Sequence, residues 1–203
     1  MFGHAIINEK NFEISNLSDV CEYITDGSHI SPKNNVNSEI PMLSVKDMTG
    51  VGFDYSNCKH ISLADYALLK KNGCQPRIGD VLISKDGSYF KYAFVVSEER
   101  KEVILSSIAM IHPTNVLIPE YLKAYLLSDE VYQFVKQELV TGMALKRIIL
   151  DDIKRIPVFI PKLKEQNQFA LYVNSVDKLR FAAEQKKKEL LEQKKALFDK
   201  YFR

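Results

Sequence analysis

From Lys164 to Arg203 the chain runs forty residues without a glycine or a proline, and this stretch constrains the fold more than any other. Ala, Leu, Glu, Gln and Lys dominate it, the residues that lose least on entering a helix. A helix of that length extends roughly 55–60 Å, further than a small domain is wide. Phe169, Val176, Ala183, Leu190 and Leu197 recur every seven residues, and Tyr172 and Leu179 support them. The adjoining columns also hold Lys186, Lys187, Gln193 and Lys194, so the seam is ragged in the middle. One apolar seam on a charged helix needs a partner to be stable. Phe169, Val176, Leu179, Ala183, Leu190 and Leu197 are therefore the expected contacts, either to the rest of the chain or to a second copy.

The overall charge of +2 becomes informative when it is divided. Residues 162–203 hold nine Lys and two Arg against four Glu and two Asp, a net +5, which leaves 17 basic and 20 acidic residues in 1–161, a net −3. A basic helix thus follows a mildly acidic body. If that body binds nucleic acid, a local basic face must do it, since the overall charge does not help. No run approaches the ~20 apolar residues that span a bilayer, and the first residues lack a basic-then-apolar leader pattern. Cys21, Cys58 and Cys74 are odd in number and lack CxxC spacing, which points to reduced thiols in a cytoplasmic protein.

Along the body the pattern alternates between short apolar runs and turn residues. Phe12 to Ile24 alternates loosely until Thr25-Asp26-Gly27-Ser28 breaks it, and residues 28–39 read as an exposed polar loop. Ile40 to Val45 predicts a strand. Ser62 caps a short helix in LADYALLKKNG, with Asp65 in its first turn and Gly73 as its stop. Val81–Ser84, Tyr89–Ser97 and Val103–His112 predict neighbouring strands, with SEERKE as a polar tip between the last two. Pro119 opens a helix expected to run to about Val140. Pro157 and Pro161 bracket Val158-Phe159-Ile160 as an edge or isolated extended segment.

Few residues suggest chemistry. The four histidines are too dispersed for a metalloprotease-like pair, Cys58-Lys59-His60 alone is a poor zinc set, and no glycine pattern cradles a nucleotide phosphate. No metal or cofactor is expected. Asp80 followed by Glu99-Arg100-Lys101 mimics the carboxylate pattern of a Mg²⁺-dependent nuclease, though Glu99 and Lys101 fall in a solvated tip. Three loops better suit DNA backbone contact: Ser28-His29 with Lys33-Asn34; Ser84-Lys85 with Gly87 and Lys91; and Thr141-Gly142 with Lys146-Arg147. Small polar residues, glycine-turn amides and a few cations are what phosphates require, and Asn, His and Ser can reach base edges.

Ordered segments of the chain resemble one half of a specificity subunit of type I restriction-modification systems. They are Leu17-Ser18-Asp19-Val20 with Thr25-Asp26-Gly27-Ser28-His29; Ile40-Pro41-Met42-Leu43 with Val45-Lys46-Asp47; and Gly79-Asp80-Val81-Leu82-Ile83-Ser84. The most specific series runs Thr141-Gly142-Met143-Ala144-Leu145-Lys146-Arg147, Leu150-Asp151-Asp152-Ile153, Ile156-Pro157-Val158 and Pro161-Lys162-Leu163-Lys164-Glu165-Gln166, directly into the long helix. The resemblance implies an α+β fold, with a β-rich target-recognition domain over 1–161 and a conserved helix over 162–203 that pairs antiparallel with a second copy. It further implies binding of double-stranded DNA at a bipartite site by a non-catalytic homodimer. Modification subunits would supply the methylation chemistry, and a restriction subunit would add cleavage. A helical adaptor that reads no DNA is the alternative expectation.

Overall fold

The computed structural model describes residues 11–87, 89–139 and 148–202. Strand β1 (Glu13–Asn16) pairs antiparallel with β9 (Pro157–Ile160), so the proline-bracketed segment is half of a two-stranded ribbon. A four-stranded sheet follows the order β2-β8-β5-β6, built from Cys21–Asp26, Ile108–Pro113, Val81–Ser84 and Ala93–Val95, and its pairings are all antiparallel. A three-stranded sheet has the order β4-β3-β7, from Lys59–Ile61, Ile40–Leu43 and Val103–Ile104; β3 runs parallel to β7.

Period-two alternation divides the core. In β5, Val81 and Ile83 enter the main core, while Leu82 points to the opposite face. In β8, Ala109 and Ile111 join the main core, and Ile108 and Met110 join Leu82. Both faces of these strands are covered, which is why they read as continuous apolar runs. The Leu82 face meets Leu43 and Ile104 of the three-stranded sheet, whose other face packs Ile40, Met42 and Val103 on Tyr66 and Leu69. These last two belong to α1 (Leu63–Lys71), where Ser62 Oγ accepts from Asp65 N as its cap. Gly73 then takes φ 78 beyond the helix end, in the left-handed region.

On the main-core side lie α2 (Pro119–Leu126), α3 (Asp129–Phe134) and α4 (Leu150–Lys154), followed by α5 (Leu163–Phe202), a single helix of 40 residues. The helix expected over 119–140 is interrupted after Leu126. Ser128 Oγ accepts from Val131 N, and Asp129 and Glu130 fill the first turn of a new helix, a start signal lying inside an apparently continuous pattern. A π-type turn, Val135–Leu139, extends α3. The strand expected over Val103–His112 is two strands in two sheets, split at Leu105–Ser107. Only Ala93–Val95 of the expected 89–97 strand pairs, because Tyr89 and Phe90 turn back into the core. Among the described residues no helix is long and apolar enough to cross a membrane.

Candidate nucleic-acid interface

β2 ends at Asp26, β5 ends at Ser84, and β8 begins at Ile108. Register places Asp26 beside Ala109 and Ser84 beside Ile108, so the adjoining turns meet at one end of the four-stranded sheet. Ser28 N donates to Ile104 O at 2.8 Å, Ser106 N to Ser28 O at 3.0 Å, and Lys85 N to Ser107 O at 2.9 Å. Gly27 lies so close to β7 that a Cβ there would overlap the Ile104 carbonyl. This gives the Thr-Asp-Gly-Ser run its physical reason: only glycine lets the two backbones approach.

Charge closes the same junction. Lys85 has 3% of its side chain exposed, and its Nζ lies 3.1 Å from Asp26 Oδ2 and 3.8 Å from Asp86 Oδ1. His29 Nε2 lies 3.2 Å from the other Asp26 oxygen, with 71% of its side chain in solvent. Asp26 thus links a buried lysine to an exposed histidine across two loops. Removing one partner of a buried pair strands the other charge, a loss of about 3–5 kcal/mol.

Three of the expected DNA contacts are therefore interior. Ser28 is buried, and its hydroxyl donates to Ile30 O at 2.6 Å and accepts from Ile30 N. Ser84 is fully buried, and its Oγ accepts from Lys91 N and Tyr92 N. Lys85 spends its charge on Asp26. In the free chain all three are buried and hold loops in place. His29, Lys33, Asn34, Gly87 and Lys91 are exposed. Gly87 takes φ 70, in the left-handed region, and Lys91 Nζ sits 5.0 Å from the Tyr92 ring centroid. Thr141, Gly142, Lys146 and Arg147 lie outside the described residues.

The polar loop after Ser28 has more order than its composition suggests. Asn35 N donates to His60 O at 2.9 Å, His60 N to Asn34 Oδ1 at 3.0 Å, and Lys59 Nζ to Ser31 Oγ at 2.7 Å. The loop lies along edge strand β4 and covers hydrogen-bonding groups that an open edge would expose. Lys33 and Asn34 are thereby carried on a pinned segment beside Lys59 and His60.

At the opposite sheet end Asp80 is fully buried. Its carboxylate accepts from Arg77 N at 2.7 Å and from Tyr23 Oη, and lies 2.8 Å from His112 Nδ1. Burial first, and then the Asp80 hydrogen bond, raise the Tyr23 phenol above its ordinary range. Burial pushes the Cys21 thiol up to about 12, which makes it unreactive. Asp80 is thus a structural anchor in a polar network, whereas Glu99 is exposed and Lys101 Nζ lies over the Tyr66 ring at 5.5 Å. Among the described residues no group of three His, Cys, Asp or Glu could hold a metal ion.

The root of α5 is fixed to the body. Lys162 N donates to Glu165 Oε2 at 3.1 Å, which helps to start the helix. Gln166 is fully buried; its Nε2 donates to Val116 O at 2.9 Å and Pro161 O at 2.8 Å, and its Oε1 accepts from Ile118 N at 2.9 Å. Phe169 meets Tyr121 edge-on with centroids 5.8 Å apart, and Lys123 Nζ lies 2.9 Å from Asp177 Oδ2. Phe169, expected in the helix–helix seam, is therefore engaged by its own body. Elsewhere on the same helix, Val176, Leu179, Ala183, Leu190 and Leu197 are exposed. Sequence reasoning missed the roles of Asp26, Gln166, Tyr23 and His112; the first two lay within motifs already singled out.

Polar loops are thus set on two facing sheets, and a long helix is rooted on the same body by buried side chains. The chain belongs to the type I restriction modification DNA specificity domain family, whose model matches residues 9–193. Solved structures of the same fold include a chain from the type I R-M system, 21% identical with TM-score 0.63 over 95% of this chain and 46% of that one. An HsdS subunit from Thermoanaerobacter tengcongensis is 20% identical with TM-score 0.60, over 96% of this chain and 46% of its own. A type I restriction-modification S subunit from M. genitalium, 15% identical, gives TM-score 0.55 over 96% and 46%. The chain spans about half the length of these structures.

Proposed function

We propose that residues 1–161 form a DNA-reading domain and residues 162–203 a spacer and dimer contact, so that two copies present identical readers at opposite ends of a paired helix. The observation that carries this reading is one loop-bearing body rooted to one long arm, matched over nearly its whole length to about half of the solved subunits. In this reading the dimer recognises a bipartite, palindromic site on double-stranded DNA. Half-sites on one face of the duplex recur about every 10 bp, a spacing the arm can bridge. The chain itself is non-catalytic and cytoplasmic, works without a cofactor, and directs partner methyltransferase subunits, with a restriction subunit joining the same complex.

Base-resolved methylation mapping, in cells carrying the modification subunits with and without this chain, tests the proposal. A chain-dependent mark at a palindromic two-part motif is the expected result. A mark that is unchanged when the chain is removed contradicts it and favours the adaptor alternative. DNA cleavage by the purified chain with Mg²⁺ would contradict the non-catalytic assignment. For the reading surface, Lys33, Lys91, Lys146 and Arg147 are proposed phosphate contacts. Neutralising each one should weaken binding across sequences and lower the salt slope by about 1; an unchanged slope returns that residue to the solvated surface.

A further inference from the structure

α5 carries two distinct faces. Gln166, Phe169, Ala170 and Asp177 face the body or its α2 contact. At 3.6 residues per turn, Tyr172, Val176, Leu179, Ala183, Leu190 and Leu197 centre about 120° away around the helix. That second stripe stands in solvent: Leu179 is 72% exposed, Leu190 53% and Leu197 55%. The seven-residue seam is thus not continuous from Phe169. Its first member is taken by the body, and the rest begins a new surface.

We propose that this stripe pairs with the same stripe of a second copy, antiparallel, in the register that sets Tyr172 against Leu197 and Leu179 against Leu190. The inference rests on the dimer reading above and specifies its contact. A two-fold contact must be self-complementary, with residue i on j and j on i. The large apolar positions 172, 179, 190 and 197 satisfy this in their spacing: seven, then eleven, then seven residues, the same in both directions. The intervening positions follow, with Val176 opposite Gln193 and Ala183 opposite Lys186.

Neighbouring registers fail on chemistry. Sliding one heptad one way sets Leu197 against Glu165 and Val176 against Lys186; sliding the other way sets Leu190 against Lys186 and Val176 against Lys200. Only the palindromic register gives all four large apolar side chains an apolar partner in both copies. It also places the small Ala183 opposite each Lys186, so that the lysine stem lies over the seam while its ammonium stays at the edge. Lys186 Nζ already lies 3.0 Å from Glu189 Oε2 on its own helix. Such a polar residue near the centre of a helical seam fixes register at a cost in stability. Because the stripe drifts ~20° per heptad on a straight helix, the two arms wind left-handed around each other to keep it in contact.

Cysteine pairs read this register in the full chain under mild oxidation. The double variant Leu179→Cys with Leu190→Cys should give a disulfide-linked dimer at least about tenfold faster than Leu179→Cys with Ala183→Cys, or with Leu197→Cys. The reason is that a one-heptad slip moves the backbones about 10 Å, beyond the span of a disulfide. Faster linking by either alternative pair, or by Leu179→Cys alone as a parallel pairing requires, overturns the register. A wild-type dimer that links through none of these cysteines overturns this surface as the contact. A wild-type chain that is monomeric by light scattering overturns instead the dimer reading on which the inference rests.

Discussion

The two halves of α5 share a composition and differ in what surrounds them. The root, from Leu163 to Asp177, is held by a buried amide, an aromatic edge contact and an ion pair. The distal part presents leucines and lysines to solvent. Helix propensity alone does not distinguish them. The root is ordered by tertiary contacts within the chain, whereas the distal part has an apolar stripe whose burial requires another molecule. The comparison teaches that a single heptad pattern can begin packed on the chain's own body and continue exposed where the body ends.

Substitutions at the root should cost folding stability, and those further along should cost assembly. Tyr121→Ala has the largest expected effect. Its ring packs on Phe169, its hydroxyl donates to Phe159 O at 3.0 Å, and it is almost wholly buried. A loss of about 3–5 kcal/mol is expected in denaturant unfolding; a loss below about 1 kcal/mol would show that the root is not packed as described. Gln166→Leu comes next. It strands Ile118 N, Val116 O and Pro161 O beside an apolar side chain, at about 1–3 kcal/mol per buried group left unpaired. The expected readout is a lower unfolding midpoint with faster exchange of the Ile118 amide.

Smaller effects sharpen the same contrast. Asp177→Asn removes a half-exposed pair with Lys123 and should change stability by about 0.2–1 kcal/mol, measured by denaturant midpoint. The last contrast is with pH. Glu102 is buried and accepts from Tyr55 Oη at 2.8 Å, and burial holds its carboxyl above the ordinary range despite that bond and nearby Arg100. The folded state therefore retains this proton more tightly than the unfolded chain. The associated stability is full below the ordinary carboxylate pKa and declines as pH rises through the raised one. Glu102→Gln keeps an acceptor for Tyr55 and should flatten that decline in melting temperature; an unchanged pH profile would contradict the assignment.

Much of this organisation was legible in the sequence. Local signals placed α1 with its Ser62 cap, the start of α2 at Pro119 and the long helix after Pro161. What escaped depended on neighbours distant in the chain. Ser128 restarts a helix inside an apolar pattern that looks continuous, and Leu105–Ser107 moves the chain from one sheet to another without a glycine or proline to mark the change. At the loop junction, Lys85 has the composition expected of a phosphate contact, and only the pairing of β2, β8 and β5 brings Asp26 beside it as an ion-pair partner.

The most direct test of the two-part helix is light scattering on the full chain at micromolar concentration, with thermal unfolding of the same samples. The account predicts twice the chain mass for wild type and a single chain mass for Leu190→Glu with Leu197→Glu. It also predicts that the body's unfolding, followed through tyrosine signals, is preserved once the subunits separate. A wild-type chain that is already monomeric, or a dimer whose mass is unaffected by both glutamates, would contradict it.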